Sequence, residues 1–342
     1  MKGVVFLGDQ NLEIRDIPKP EPGTGEVLIE MKASGICGSD LSAYNLPSTQ
    51  FSQASRNVIR GHEPCGVVVE LGTGTRNVNV GDRVMVHHYR GCGSCKHCLS
   101  GWTQLCVHGP EAYGWSLNGG HEDFMVCLDT TCVPMPDKLT FEEGACCTCG
   151  TGTAYQALKR LAVSGMDTVA IFGQGPVGLS ATILAKAMGA RVIAIDTVSN
   201  RLESSKRLGA DEIVNASEVD AVAVIREMTK GEGADATIDC TGVEEARLNA
   251  LKSAKVWGRA CFVGEMGLAT FDISQLFIRK QLTVHGSWTF STHILAEVAN
   301  FVVDHKVRLR DIISHRFPIS KADDAYRQFA DGKTGKAVFV WP

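Results

Sequence analysis

The chain has 342 residues, 44% of them hydrophobic and 21% charged, with a formal net charge of −4. That length carries two domains with cores of their own, and the charge balance excludes an overall electrostatic attraction to nucleic acid or to an anionic membrane. No apolar run approaches the roughly 18 residues of a membrane span. The start, Met1-Lys-Gly-Val-Val-Phe6, lacks the apolar core and cleavage site of a secretory signal. Thirteen cysteines without such a signal point to metal sites and free thiols in a reducing, cytoplasmic setting, not to a disulfide framework.

Residues 1 to about 90 read as short strands separated by turns. Glu26-Val-Leu-Ile-Glu-Met-Lys32 alternates as a half-buried strand does, and Gly66-Val-Val-Val-Glu-Leu71 is a more deeply buried one. Pro18, Pro20, Pro22 and Gly23 break the chain, as do Gly72-Thr-Gly74 and Gly81-Asp82. The pattern predicts a mainly β unit ahead of an α/β half. Within it, Cys37-Gly-Ser-Asp40 sets a thiol, a hydroxyl and a carboxylate close together, and Gly61-His-Glu63 adds an imidazole and a second carboxylate. With Cys149 from further along, Cys37 and His62 make the thiolate, imidazole and thiolate set of a catalytic zinc whose fourth position stays open. A single histidine is more often a satisfied core or surface residue, and seven of the thirteen cysteines read as small buried hydrophobes.

Cys92-Gly-Ser-Cys95-Lys-His-Cys98, followed by Cys106, is a more specific signal. The spacing C-x2-C-x2-C-x7-C on a glycine-rich loop offers four soft ligands to a tetrahedral ion, the closed set of a structural zinc. An iron–sulfur cluster is the competing reading; ferredoxin spacing would bring the fourth cysteine sooner and follow it with proline, where Val107 stands.

Thr168-Val-Ala-Ile-Phe172 is a short, uncharged, β-prone run of the kind buried on both faces. Gly173-Gln-Gly175-Pro176-Val177-Gly178 follows, then a helix predicted over Leu179 to Met188 and stopped by Gly189, then a strand, Arg191 to Ile195, ending at Asp196. In this arrangement Gly173 permits the turn, Gly175 lets the backbone approach a pyrophosphate, and Gly178 packs helix on strand. The helix start holds the phosphates. Asp196, 18 residues beyond Gly178, is placed to bind the ribose hydroxyls of NAD and to repel the 2′-phosphate of NADP.

The α/β alternation continues. Asn200 to Arg207 reads as a helix that sets Arg201 near the adenine side, or equally as a solvated surface charge. Ala236 to Cys240 and Arg259 to Val263 are strands ending at Thr241-Gly242 and Gly264, ends that would border the nicotinamide in an open parallel sheet. Leu282 to Val284, a helix from His293 to Asp304 and a last strand from Lys336 to Trp341 complete the chain.

Together these motifs resemble the zinc-dependent medium-chain alcohol dehydrogenases of the medium-chain dehydrogenase/reductase superfamily, from end to end. The resemblance is carried by Cys37-Gly-Ser-Asp40, Gly61-His-Glu63, Gly81-Asp-Arg-Val84, the four-cysteine loop, Gly119-Gly120, Cys149 to Tyr155, Gly173 to Gly178 and Leu208-Gly-Ala-Asp211. It implies an α/β chain with a GroES-like, mainly β catalytic domain bearing the structural zinc loop (residues 1–148) and a Rossmann domain built on a doubly wound parallel sheet (149–284). A C-terminal segment, 285–342, returns to the catalytic domain.

Carried over residue by residue, Cys37, His62 and Cys149 match the ligands of the catalytic zinc, and Glu63 matches a carboxylate that approaches the metal during ligand exchange. Asp40 matches the acid that orients the imidazole, and Ser39 the hydroxyl that takes the substrate proton. Lys336 matches a basic residue near the cofactor phosphates. Cys146 and Cys147 rival Cys149, which is favoured because it stands six before the matching aromatic, Tyr155. Polyol-acting relatives often have glutamate at that position, so cysteine leans towards simple alcohols. Many relatives carry a relay histidine five residues after the first ligand; here the residue is Ser42.

The implied activity is reversible alcohol oxidation to aldehyde or ketone by NAD, with two zinc ions per chain, a small-molecule alcohol or carbonyl as partner, and a homo-oligomer, a tetramer before a dimer. Trp115, Met266 and Trp288 lie on segments that line the pocket in relatives, or serve equally as core or interface residues. The alternative is a polyol, sugar or amino-alcohol dehydrogenase of sorbitol or threonine type. A non-enzymatic zinc-binding protein is the distant third and leaves Asp196 unexplained.

Overall fold

In the computed structural model of the chain, residues 1–52 and 54–342 are described. They divide into two compact units, Met1–Gly152 with Phe290–Pro342, and Thr153–Thr289. These boundaries lie a few residues later than 148 and 284. The helix Phe141–Cys146 runs into a wide π-helical turn, Cys147–Thr151, and the helix Thr292–Asp304 packs on that turn, so both stay with the first unit.

The second unit is built on six parallel strands: Thr168–Phe172, Arg191–Asp196, Glu212–Asn215, Ala234–Asp239, Ala254–Phe262 and Thr283–Gly286. Numbered in that order they lie 3-2-1-4-5-6 in the sheet. The chain reverses its direction of winding between the first and fourth strands, which opens a crevice beyond their carboxyl ends. Val169, Ala170, Ile171, Val192, Ile193 and Ala194 are wholly buried, as an uncharged central strand pair must be when both faces are covered. Ile225 and Ala250 from neighbouring helices close over Ala170, Phe172 and Ile193. The helix after the first strand spans Pro176–Ala187, three residues earlier than expected at its start. Proline supplies a ready-set φ at the first helical position, where its missing N–H costs nothing.

The first unit is built around a seven-stranded sheet. Its path runs Ile313–Phe317, Lys336–Val340, Glu26–Ile36, Pro64–Leu71, Arg83–Val86, Cys132–Pro134, with Phe124–Leu128 also paired to Glu26–Ile36. The C-terminal strand Lys336–Val340 lies antiparallel to Glu26–Ile36, with Ala337 opposite Ile36. Glu26–Ile36 therefore sits at the centre, and its far end delivers Cys37. Buried Phe6, Tyr44, Tyr326 and Phe339 form one core cluster of this unit. Among the described residues, no helix is long and apolar enough to cross a membrane.

Candidate active site and nucleotide site

Cys37 leaves the strand Glu26–Ile36 and starts the helix Gly38–Tyr44. Asp40, in the first turn, accepts a hydrogen bond from the Cys37 backbone N–H at 2.8 Å, which closes the turn as a capping carboxylate does. Its other oxygen lies 2.9 Å from His62 Nδ1. His62 and Glu63 precede the strand Pro64–Leu71, whose antiparallel register sets Pro64 opposite Ser34. The Gly35 N–H donates to the Glu63 carbonyl at 3.2 Å, so the register alone brings Cys37 to His62. Cys149 arrives from the π-helical turn, a local distortion of the kind found at functional sites. Its Sγ lies 3.8 Å from that of Cys37.

The donor atoms of Cys37, His62, Glu63 and Cys149 all fall within 4.8 Å of one another. Cys146 and Cys147, though buried beside them in sequence, are not in this group. Ser39 Oγ is 3.3 Å from His62 Nε2. A hydrogen bond from the Cys149 thiol, supported by His62, holds the Cys37 sulfur well below the ordinary thiol range against its burial. The same bond and burial push Cys149 well up, so one proton serves both sulfurs. Burial opposes a charge on His62, but the Asp40 carboxylate and Cys37 outweigh it and raise its basicity. Burial pushes the Glu63 carboxyl up to about 7 despite the Lys336 ammonium beside it.

These residues fit a divalent metal. Two sulfurs, an imidazole and a carboxylate converge out of water, and Glu63 Oε1 is buried without a hydrogen-bond partner. The set is the soft, mixed S and N chemistry that suits zinc. Lys336 is placed differently from the expectation of a phosphate-binding residue. It is 1% exposed, and its ammonium is turned to the Glu63 carboxylate and the Ile36 carbonyl. A buried carboxylate in direct contact is the stronger claim on a buried cation.

Cys92, Cys95, Cys98 and Cys106 form the second such group, again within 4.8 Å. Backbone N–H groups of Cys92 and Cys95 point at Cys106 Sγ (3.4 Å) and Cys92 Sγ (3.3 Å). The Ser94 hydroxyl and backbone N–H groups bring Cys92 down to about 5, whereas burial pushes Cys98 up to about 12. Four thiols gathered on a loop with little apolar material match a closed structural zinc set.

Two histidines not singled out by the sequence lie beside the first group. His87 and His88 follow the strand Arg83–Val86, their rings stacked with centroids 5.7 Å apart. His87 Nε2 is 2.9 Å from the Phe290 carbonyl, and His88 Nδ1 is 3.0 Å from the Thr148 carbonyl. The His88 ring meets the His62 ring edge to face at 5.2 Å. The His-His pair just before the four-cysteine loop was the visible signal, but only the fold puts it against His62.

In the second unit, Gly173 has φ +88°, and an added Cβ there would meet Thr241 Cγ2 at 2.5 Å. A Cβ on Gly175 would meet nothing within 4 Å, which leaves the backbone at the helix start open to a ligand. Pro176, Val177 and Gly178 form the first turn of the helix. Asp196 Oδ2 accepts from the Gln174 N–H at 2.6 Å, and Oδ1 accepts from the N–H groups of Thr197 (2.8 Å) and Val198 (2.9 Å). The carboxylate thus ties the glycine loop to the second strand and keeps further lone pairs for a hydroxyl donor. Arg201 Nη1 is 3.9 Å from Asp196 Oδ2.

Gln174 is wholly buried and accepts from Thr182 and Ser205 hydroxyls, an anchor for the loop that the sequence did not reveal. Thr241 donates its N–H and its hydroxyl to Asp239 Oδ1, at 2.9 and 2.6 Å, and Gly264 packs against Gly242. Both stand at carboxyl ends of strands, as expected. A cavity of about 350 Å³ opens at the opposite, amino ends, lined by Thr168, Arg191, Asp235 and Lys255 among others, with Lys255 paired to Asp235. Trp115, Met266 and Trp288 are exposed, so none is a core residue.

A family profile described as an alcohol dehydrogenase GroES-like domain matches residues 23–137, and one described as a zinc-binding dehydrogenase matches residues 176–304. The chain is 40% identical over 351 residues to an uncharacterized zinc-type alcohol dehydrogenase-like protein of Escherichia coli K12, covering 100% of this chain and 99% of that one. It is 34% identical to an alcohol dehydrogenase of Geobacillus stearothermophilus, covering 96% of each. It is 32% identical to an L-threonine 3-dehydrogenase of Pyrococcus horikoshii, covering 96% of this chain and 94% of that one. Among solved structures, the alcohol dehydrogenase TADH from Thermus sp. ATN1 matches with a TM-score of 0.91 at 26% identity, over 99% of each chain.

Proposed function

The chain belongs to the zinc-dependent medium-chain alcohol dehydrogenase family, an oxidoreductase family, and on that premise we propose that it transfers hydride reversibly between an alcohol and NAD, yielding an aldehyde or ketone. The buried convergence of Cys37, His62 and Cys149, with Asp40 fixing the imidazole, is the observation that carries this reading.

In it, Cys37, His62 and Cys149 hold a zinc ion that supplies Lewis-acid polarisation of the substrate oxygen. Asp40 acts as a positioning residue. By accepting from His62 Nδ1 it leaves Nε2 free to ligate, with the ring orientation set in advance. Glu63, held back by Lys336, is a carboxylate in reserve for ligand exchange. Ser39, beside His62 Nε2, takes the proton of the substrate hydroxyl and passes it on without a histidine at position 42. The hydride chemistry belongs to the nicotinamide. Gly173 to Gly178 bind its pyrophosphate, and Asp196 receives the ribose hydroxyls, with Arg201, Thr241 and Gly264 around the rest of the nucleotide. Cys92, Cys95, Cys98 and Cys106 hold a second, structural zinc.

The same reading includes a homo-oligomer. Val256, Trp257, Met266, Leu268, Ile273 and Ile278 are exposed around the edge strand Thr283–Gly286, an apolar surface of the kind that is covered by another copy.

The test is NADH formation across primary alcohols, secondary alcohols, vicinal diols and threonine, repeated with Ser39→Ala. The expected result is turnover in the native chain and a loss of about 10²- to 10⁴-fold in kcat for the variant. Zinc present and NAD bound, but no turnover of any alcohol, would overturn the proposal.

A further inference from the structure

Arg247 lies near the start of the helix Glu244–Ser253, close behind Glu244 and Glu245. The helix dipole disfavours a cation so near its positive end, so the residue owes its place to something else. Its largely buried side chain reaches across to the segment that follows the strand Ala254–Phe262. Nη2 donates to the carbonyls of Gly264 and Met266, both at 2.7 Å, and Nη1 donates to that of Gly267 at 3.0 Å. Nε is 3.4 Å from Asp239 Oδ2, an ionic contact without the alignment of a hydrogen bond.

Carbonyls of three residues so close in the chain meet one guanidinium only where the backbone bends back sharply. Met266 and Gly267 make that bend in the left-handed region, at φ +71° and +74°. For methionine the conformation costs about 1–2 kcal/mol, and its exposed side chain adds little packing against that cost. The planar fork of Arg247, with charge-assisted bonds to all three carbonyls, offsets it. Asp239 holds the neighbouring strand end, accepting from the N–H groups of Thr241 at 2.9 Å and Gly242 at 3.2 Å. The two ends are in close contact. A Cβ on Gly242 would meet the Glu265 carbonyl at 2.1 Å, and one on Gly267 would meet the Gly242 carbonyl at 2.6 Å. Arg247 and Asp239 thus clamp 241–242 to 264–267 as one surface.

The position of that surface on the sheet decides what it would meet. Asp196 ends the second strand, and the glycine loop follows the first. A dinucleotide with its adenosine ribose on Asp196 and its pyrophosphate on the glycine loop is left with the ends of the fourth and fifth strands for its other half. We propose that Arg247 is a positioning residue for the nicotinamide half of the dinucleotide, acting through the backbone of 264–267 and touching no ligand itself. This rests on the hydride-transfer reading above and adds to it a residue that shapes the cofactor site from behind.

The experiment measures by titration calorimetry the binding of NADH and of ADP, which lacks the nicotinamide riboside, to the native protein and to Arg247→Met. The expected result is a rise of about ten- to a hundredfold in the dissociation constant for NADH, the effect of losing charge-assisted hydrogen bonds that set the loop. The constant for ADP should stay within about twofold, because its site is remote from the substitution.

Equal weakening of both ligands would show that Arg247 supports the domain as a whole, and overturns the inference; unchanged NADH binding does so too. Should Arg247→Met not fold, Arg247→Lys takes its place. It keeps the charge but cannot fork across three carbonyls, and the same selective loss is expected. Loss of the fold in both variants makes the role structural and also overturns the inference. A native protein that binds ADP but not NADH, or neither, overturns the hydride-transfer reading and this inference with it. Native binding of both, with no selective loss in the variant, overturns this inference alone.

Discussion

Glu63 and Lys336 stand 273 residues apart in the chain and form an ion pair in which neither side chain is more than 1% exposed. Lys336 begins the strand that lies beside Glu26–Ile36, and its ammonium also donates to the Ile36 carbonyl at 2.9 Å. The C-terminal strand is thereby fastened under the residues that precede and follow Cys37.

Removing one partner leaves the other buried and unpaired, which costs about 3–5 kcal/mol. Lys336→Met should therefore lower the stability of the protein by that amount in denaturant titration. The double variant Glu63→Gln with Lys336→Met should recover a large part of the loss. A double variant no more stable than the single one would show that the two charges do not depend on each other.

Glu122 is another buried carboxylate, 1% exposed, with Oε2 unpartnered and, among the described residues, in no ion pair. Burial, aided by Asp123, raises its pKa well above the ordinary 4.5. A carboxyl raised in the folded state contributes stability that is fully present below 4.5 and is lost as pH rises through the folded value. Glu122→Gln should accordingly flatten the fall in stability on the alkaline side of that range. At neutral pH it should stabilise the chain by about 1–3 kcal/mol. The thermal midpoint of both proteins measured from pH 4 to pH 9 checks this; parallel curves would contradict it.

Asp196 has two roles that one variant separates. Its carboxylate ties down the Gln174 N–H and, in the proposed reading, receives the ribose hydroxyls, while Arg201 stands 3.9 Å away. Asp196→Ala should lower kcat/KM for NAD by about ten- to a hundredfold, the cost of lost hydroxyl hydrogen bonds to a charged group. It should lower NADP use far less, since Arg201 is then unopposed beside a 2′-phosphate. An unchanged NAD to NADP ratio would assign the discrimination to another residue.

The two cysteine groups predict a metal content of about two zinc ions per chain, and different consequences of losing each. Cys149→Ser should remove one ion and the activity while the thermal midpoint changes little. Cys95→Ser should remove the other and lower the midpoint, because the loop Cys92–Cys106 has little apolar packing to hold it otherwise. Elemental analysis with thermal unfolding distinguishes the two, and retained turnover in Cys149→Ser would return the ligand role to Cys146 or Cys147.

Much of this molecule was legible in local pattern. The strand, glycine loop, helix and acid of Thr168 to Asp196 are consecutive in the chain, so backbone sterics and apolar runs mark them out locally. The same holds for Cys92 to Cys106, whose ligands lie within one loop, and for the capping carboxylate of Asp40, three residues from the backbone N–H it accepts. What tertiary structure alone decided is which distant groups meet. Strand register set Gly35 against Glu63, and the return of the C-terminal strand gave Lys336 to that carboxylate instead of to a phosphate. A π-helical turn grouped Cys149, and not its two neighbours, with Cys37. Tertiary structure also set His88 against His62, with Nδ1 at the Thr148 carbonyl. Spacing carries no information about such pairs, because their partners are chosen by sheet pairing and burial across hundreds of residues.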